Sequence, residues 1–199
     1  MTLNCKTPED VLKAIADNDI KHVDLRFTDP RGKLQHLTQW HTTIDEDCFE
    51  DGFMFDGSSI AGWKAINESD MCLQLDVETA CMDPFAAEPT MIITCDVHDP
   101  ISGQRYERCP RSTAKNAQEY LKSTGVGDTA FFGPEAEFFI FEDVKIDVSM
   151  NRAMYQVDST EGPYNSARDY EEGNMGHRPG IKGGYFPVPP IDSGQDIRS

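Results

Sequence analysis

Two carboxylates, Glu135 and Glu137, lie two residues apart in the run Ala130-Phe131-Phe132-Gly133-Pro134-Glu135-Ala136-Glu137-Phe138-Phe139-Ile140-Phe141. The aromatic content predicts a strand, and residues i and i+2 of a strand share a face. Ala136, Phe138 and Ile140 then form the opposite face, which reads as core. Burying an unpaired carboxylate costs roughly several kcal/mol, so something positive should meet this pair. A divalent metal is one answer and an Arg or Lys is the other. The stems are about 6.6 Å apart in a strand, which is wide for chelating one ion. The spacing suits one carboxylate on each of two ions, or one ion and one cationic substrate. The plain alternative is a strand edge with two solvated glutamates.

A second candidate is the segment from Met54 to Asp70, which contains Phe55-Asp56-Gly57-Ser58-Ser59-Ile60-Ala61-Gly62-Trp63. It is too rich in Gly and Ser for a strand, yet it carries Phe55, Ile60, Trp63 and Ile66. We read it as a loop that inserts into another domain or subunit, with Asp56 and Ser59 at its tip; the alternative is a loop folded back on its own domain. Loops on a rigid scaffold are where sites concentrate. From Thr160 to Pro190 the chain is dense in Gly and Pro, and includes Gly176-His177-Arg178-Pro179-Gly180 and Lys182-Gly183-Gly184-Tyr185. Glycine pairs allow close backbone approach to a ligand or another chain; long irregular loops are usually functional or else disordered, and the aromatics with Lys182, Arg178 and His177 argue against disorder.

The remaining chemistry is sparse. The six cysteines form no C-x-x-C pair and the five histidines show no ligand spacing, so a structural zinc site is not expected. The thiols read as small core hydrophobes in a reducing cytoplasm, without disulfides. No P-loop, G-x-S-x-G or G-x-G-x-x-G is present. With 35 acidic and 18 basic side chains, the net charge of −17 argues against nucleic acid or an anionic membrane as partner. No run of sequence approaches a transmembrane span.

The elements that must position these residues follow from local signals. Thr7-Pro8-Glu9-Asp10 opens a helix that runs to about Asn18, with Val11, Leu12 and Ile15 as its apolar stripe. Val23, Leu25 and Phe27 alternate as a strand. Asp29-Pro30-Arg31-Gly32 turns the chain, and Lys33 to Thr38 returns as a hairpin partner. Two further strands run through Met71-Leu73-Leu75-Val77 and Met91-Ile93-Cys95-Val97. A turn-rich break follows at His98 to Gln104. Pro110 then starts a helix with Ala114, Ala117 and Leu121 on one face, closed by Gly125. Beyond the glutamate strand, a less ordered stretch is expected through Met154. Ile191 to Ser199 reads as the start of a helix with Ser193 as N-cap, as though the sequence were the N-terminal part of something longer.

Together, Phe55-Asp56-Gly57-Ser58-Ser59 with Asn67-Glu68-Ser69-Asp70, then Gly133 to Phe139, then Gly176 to Ser199, resemble bacterial type I glutamine synthetase. The resemblance runs from about residue 10 to the end. It implies an α+β chain: an N-terminal helix over 1–18, a small β-grasp domain over 19–103, and over 109–199 the start of a larger catalytic domain built on an antiparallel sheet. It implies a cytoplasmic ligase that joins ammonia to glutamate through γ-glutamyl phosphate, with ATP as co-substrate and Mg²⁺ or Mn²⁺ as cofactor. It implies identical subunits in a double ring, a dodecamer. By the same resemblance, Glu137 would hold the ion near glutamate and Glu135 the ion at the nucleotide phosphates. Asp56 of a neighbouring subunit would assist deprotonation of ammonium, Ser59 and Trp63 would shape that shared site, and Tyr185 would lie near the ammonium pocket. The family's further metal, nucleotide and glutamate ligands would lie beyond residue 199, so the 199-residue chain alone is expected to hold an incomplete site. Two other readings remain: a truncated, non-catalytic subunit docking through the Phe55–Ile66 loop, and a ligase joining glutamate to an amine other than ammonia. A two-carboxylate glycosidase fits poorly, because its acid and base must face each other across a sugar.

Overall fold

The computed structural model describes residues 2–159, 162, 164, 183–192 and 194–198. It divides into two compact units, Met1–Phe131 and Phe132–Ser199.

The first unit is built on a sheet whose central strand is the longest. That strand, β6 (Thr90–His98), is the apolar run around Ile93 and Cys95. It pairs in parallel with β1 (His22–Thr28) and antiparallel with β4 (Asp70–Leu75) and the two-residue β5 (Cys81–Met82). Outside these lie β2 (Leu34–Trp40), the hairpin return of β1, and β3 (Phe53–Asp56), which pairs with β4, giving the order β2-β1-β6-β4-β3. The β1–β2 turn is held by Asp29, whose carboxylate accepts from the backbone N–H of Arg31 and Lys33 and from the Gln35 side chain at 2.9–3.0 Å. The α+β class and the four strands expected from alternation are present; β3 and β5 were not anticipated.

Alternation decides which face is dry. Val23, Leu25, Phe27, Met71, Leu73, Met91, Ile93, Cys95 and Val97 all lie buried in one cluster. Helix α1 (Pro8–Asp17) covers it with Val11 and Ile15. The start of α1 is fixed as its sequence predicts. The Thr7 hydroxyl accepts from the Asp10 N–H, and the Asp10 carboxylate accepts from the Thr7 N–H at 3.1 Å, a reciprocal capping box. The short α2 (Asp47–Asp51) ends at Gly52.

On the other face of the sheet two buried carboxylates are met by cations. Asp24 accepts from Arg26, His36 and Thr38 at 2.6–2.8 Å. Asp96 is bonded by Arg111 Nε at 2.7 Å and by Lys115, both from α3 (Pro110–Thr124). The same two cations also reach Asp76. The helix expected from Pro110 is present and Gly125 closes it in the left-handed conformation. Its docking face differs from the expected one: Ser112, Arg111 and Lys115 face the sheet, while Ala114 and Ala117 are exposed. Ion pairing to sheet carboxylates, rather than the small apolar stripe, sets its rotation.

In the second unit β7 (Asp143–Ser149) and β8 (Arg152–Asp158) form an antiparallel hairpin in full register. This corrects the expectation of a less ordered stretch. The alternation of Val144, Ile146 and Val148, answered by Ala153, Tyr155 and Val157 across the ladder, was the signal. The run from Ala130 to Phe141 is a second correction. Among the described residues it belongs to no ladder, and Phe131, Phe132, Phe138 and Phe139 are exposed. A strand exists only through hydrogen bonds to a neighbour, and no described segment pairs with this run. The C-terminal helical start is present as α4 (Gln195–Arg198), whereas Ser193, His177, Arg178 and Lys182 lie outside the described residues.

Candidate functional site

Asp56 ends β3, the edge strand of the first unit. The chain then makes one turn of 3₁₀ helix over Gly57–Ser59, pinned by the Gly57 N–H donating to Ser69 O at 2.7 Å. Asp56 caps that turn. Its Oδ1 accepts from both the backbone N–H of Ser58, at 2.8 Å, and the Ser58 hydroxyl, at 2.6 Å. Its Oδ2 accepts from the Ser59 hydroxyl at 3.3 Å. The Ser58 donors, hydroxyl then N–H, hold the carboxyl below the usual carboxylate range, and Ser59 adds to this. The group is therefore an anion at neutral pH.

A cleft of about 310 Å³ opens beside it. Phe27, Leu37, Phe55 and Ile60 make its apolar wall, and Gln35, His36, Asp56 and Ser59 its polar groups. A small apolar cleft with a fixed anion at its edge suits a small cation. Asp56 and Ser59, singled out from sequence, are thus brought together. His36, Gln35 and Ser58 were not singled out. The Ser58 contribution was legible in principle, because Asp-Gly-Ser is a side-chain-to-backbone turn signal; His36 reaches the cleft only through the β1–β2 pairing.

The loop that carries these residues folds back on its own unit instead of projecting from it. Trp63 is buried against Phe27, Phe55 and Tyr106, with ring centroids 5.6, 6.1 and 5.6 Å away. Arg108 donates to Gly62 O at 2.9 Å, and Lys64 pairs with Asp99 at 3.0 Å while lying over the Tyr106 ring. Ile66 alone of the four apolar loop residues points fully to solvent. The apolar side chains of the loop were needed by their own core, which is why they do not mark a protruding element. Trp63 therefore supports the Asp56 turn from beneath.

Glu135 and Glu137 are exposed in the second unit, as is Tyr185, which packs edge-on against Phe186 at 4.7 Å. Among the described residues no group of three or more His, Cys, Asp or Glu side chains is placed to hold a metal ion. Two hard carboxylate donors fit Mg²⁺ or Mn²⁺ in type. Mg²⁺ is commonly held by only one or two carboxylates, with water and substrate phosphates completing its octahedron.

Two family models match the sequence: the β-grasp domain of glutamine synthetase over residues 19–100 and the glutamine synthetase catalytic domain over residues 107–199. The chain is 66% identical over 189 residues to a glutamine synthetase of Azospirillum brasilense, covering 95% of this chain and 40% of that protein. It is 62% identical over 193 residues to a glutamine synthetase of Rhizobium meliloti (strain 1021), covering 97% of this chain and 41% of that protein. It spans, then, about two fifths of the length of these relatives. Its fold is similar to that of a Plasmodium falciparum glutamine synthetase, with a TM-score of 0.75 at 23% identity over 99% of this chain and 39% of that one. Among the described residues no helix is long and apolar enough to cross a membrane. With nearly the whole sequence accounted for by the two domain models in their order, the chain belongs to the glutamine synthetase family.

Proposed function

We propose that the full-length protein carrying this chain is a cytoplasmic ligase that joins ammonia to glutamate at the expense of ATP, through γ-glutamyl phosphate. The division into a helix over 1–18, a β-grasp domain over 19–103 and the start of a catalytic domain over 109–199 belongs to the same reading. The observation that carries it most is the Asp56 carboxylate, ionised and fixed beside a small cleft, within a sequence that matches both domains of the family.

Asp56 attracts ammonium by charge, and the apolar wall of the cleft flanks it. A carboxylate held at a low pKa is a modest base: it binds the ammonium ion well, and the ion must give up one proton before its nitrogen has a lone pair to attack the γ-carbonyl of the acyl phosphate and expel phosphate. Ser59, bonded to the second oxygen, limits the rotation of the group. Glu135 and Glu137 would each place one oxygen on a divalent ion, and Tyr185 would lie beside the ammonium pocket. When bound, ATP would supply the phosphoryl group and Mg²⁺ or Mn²⁺ would neutralise its charge. The assembly is proposed to be a double ring of identical subunits, in which Asp56 of one subunit serves the site of its neighbour.

The test is γ-glutamyl transfer by the full-length protein with glutamate, ATP, Mn²⁺ and hydroxylamine. Accumulation of the hydroxamate is expected, and its absence under conditions where the protein is folded would sink the reading.

A further inference from the structure

We infer that Ser58 is a positioning residue for the proposed reaction: it clamps one oxygen of Asp56 from two donors, so that the other oxygen and Ser59 are presented to the cleft. This rests on the assignment of Asp56 as the ammonium-binding carboxylate.

The geometry divides the carboxylate in two. Oδ1 accepts from the Ser58 N–H at 2.8 Å and from the Ser58 hydroxyl at 2.6 Å, two short bonds to one oxygen. Oδ2 has the longer bond, 3.3 Å from the Ser59 hydroxyl. Ser59 lines the cleft beside Asp56, whereas Ser58 does not. The oxygen bonded to the cleft-lining Ser59 is thus the weakly held one, with capacity left for a ligand. Without Ser58 only the longer Ser59 bond would restrain the carboxylate about χ2, a broad two-fold torsion.

The clamp also works against a cost. Asp70 lies directly opposite Asp56 in the β3–β4 ladder, and like charges facing each other across strands repel. His36 stands on the cleft with its Nδ1 already committed to Asp24 at 2.6 Å. Among these neighbours the strongest bonds that favour the Asp56 anion come from Ser58.

Three variants separate the possibilities. In the 199-residue chain, the Asp56 side-chain carboxyl is titrated by carbon-13 NMR in the wild type, Ser58→Ala and Ser58→Thr. The Ala variant should titrate higher, and Thr should restore the wild-type value. In the full-length protein, Ser58→Ala should move the acid limb of kcat/KM for ammonium upward by the same amount and raise KM more than it lowers kcat, with Thr again restoring both. A merely structural serine would lower stability and leave the limb in place. Asp56→Asn is the control on the underlying assignment. If it retains full activity, Asp56 is not the ammonium-binding group and the reading beneath this inference fails. If it is inactive while Ser58→Ala leaves both the NMR titration and the acid limb unmoved, the clamp alone is overturned.

Discussion

Asp99 shows how much one half-buried carboxylate can organise. It accepts from the backbone N–H groups of Ile101 and Ser102, from the Ser102 hydroxyl and from Lys64, all within 2.9–3.1 Å. Led by the Ser102 N–H and the Lys64 ammonium, these bonds lower its pKa to about 2. The folded value is depressed, so the stabilisation is complete above the unfolded carboxylate value of about 3.9 and is lost as the pH falls from there to about 2. Asp99→Asn should therefore flatten the acid end of the stability curve. Thermal unfolding at pH 4 and pH 2 checks this: the drop in midpoint between the two should be smaller in the variant than in the wild type. An equal drop would mean that the bonds seen here persist in the unfolded chain or do not form. The same ion pair tethers Lys64, and with it the loop whose turn carries Asp56, so a stability measurement at Asp99 also reports on the seating of the candidate site.

At the level of elements, β3 is the piece that places Asp56, and its entry depends on a single glycine. Gly52 sits at φ 71°, ψ −169°, in a region open to glycine almost alone. A Cβ there would fall 2.6 Å from Leu73 O, on the neighbouring strand backbone. Gly52→Ala should cost about 3 kcal/mol or more, combining backbone strain with a clash that a ladder cannot relieve. Urea unfolding measures this, and a loss below about 1 kcal/mol would show that β3 can shift to make room. The helices give a contrast. The ends of α1 were readable because a capping box and an N1 proline are local signals. The face that α3 presents was not, since Arg111 and Lys115 answer carboxylates that lie 15 or more positions away in sequence.

For the whole molecule, the two groups of candidate residues, one in each unit, differ in how finished their surroundings are. Asp56 and Ser59 sit in a formed cleft, while Glu135 and Glu137 lie on an exposed aromatic run with two carboxylates and no third donor group described beside them. The 199-residue chain should therefore bind Mn²⁺ with a dissociation constant of about 10⁻⁴ M or weaker, the range of sites with few ligands. Calorimetry that found tight binding abolished by Glu137→Ala would contradict this. The sequence by itself determined the family, the α+β class, the caps and turns, and the identity of the chemically capable residues. Each of these is carried by local propensity or by contiguous motifs. Tertiary structure decided the rest. It turned Phe55, Ile60 and Trp63 inward because a small sheet needs apolar cover, and so made a supporting base of what reads as a projecting loop. It set His36 and Gln35 across the cleft from Asp56, because strand register is fixed by long-range ladders that periodicity does not encode. It left the glutamate run without a ladder among the described residues, because a strand is a property of two segments and only one of them can be read from its own residues.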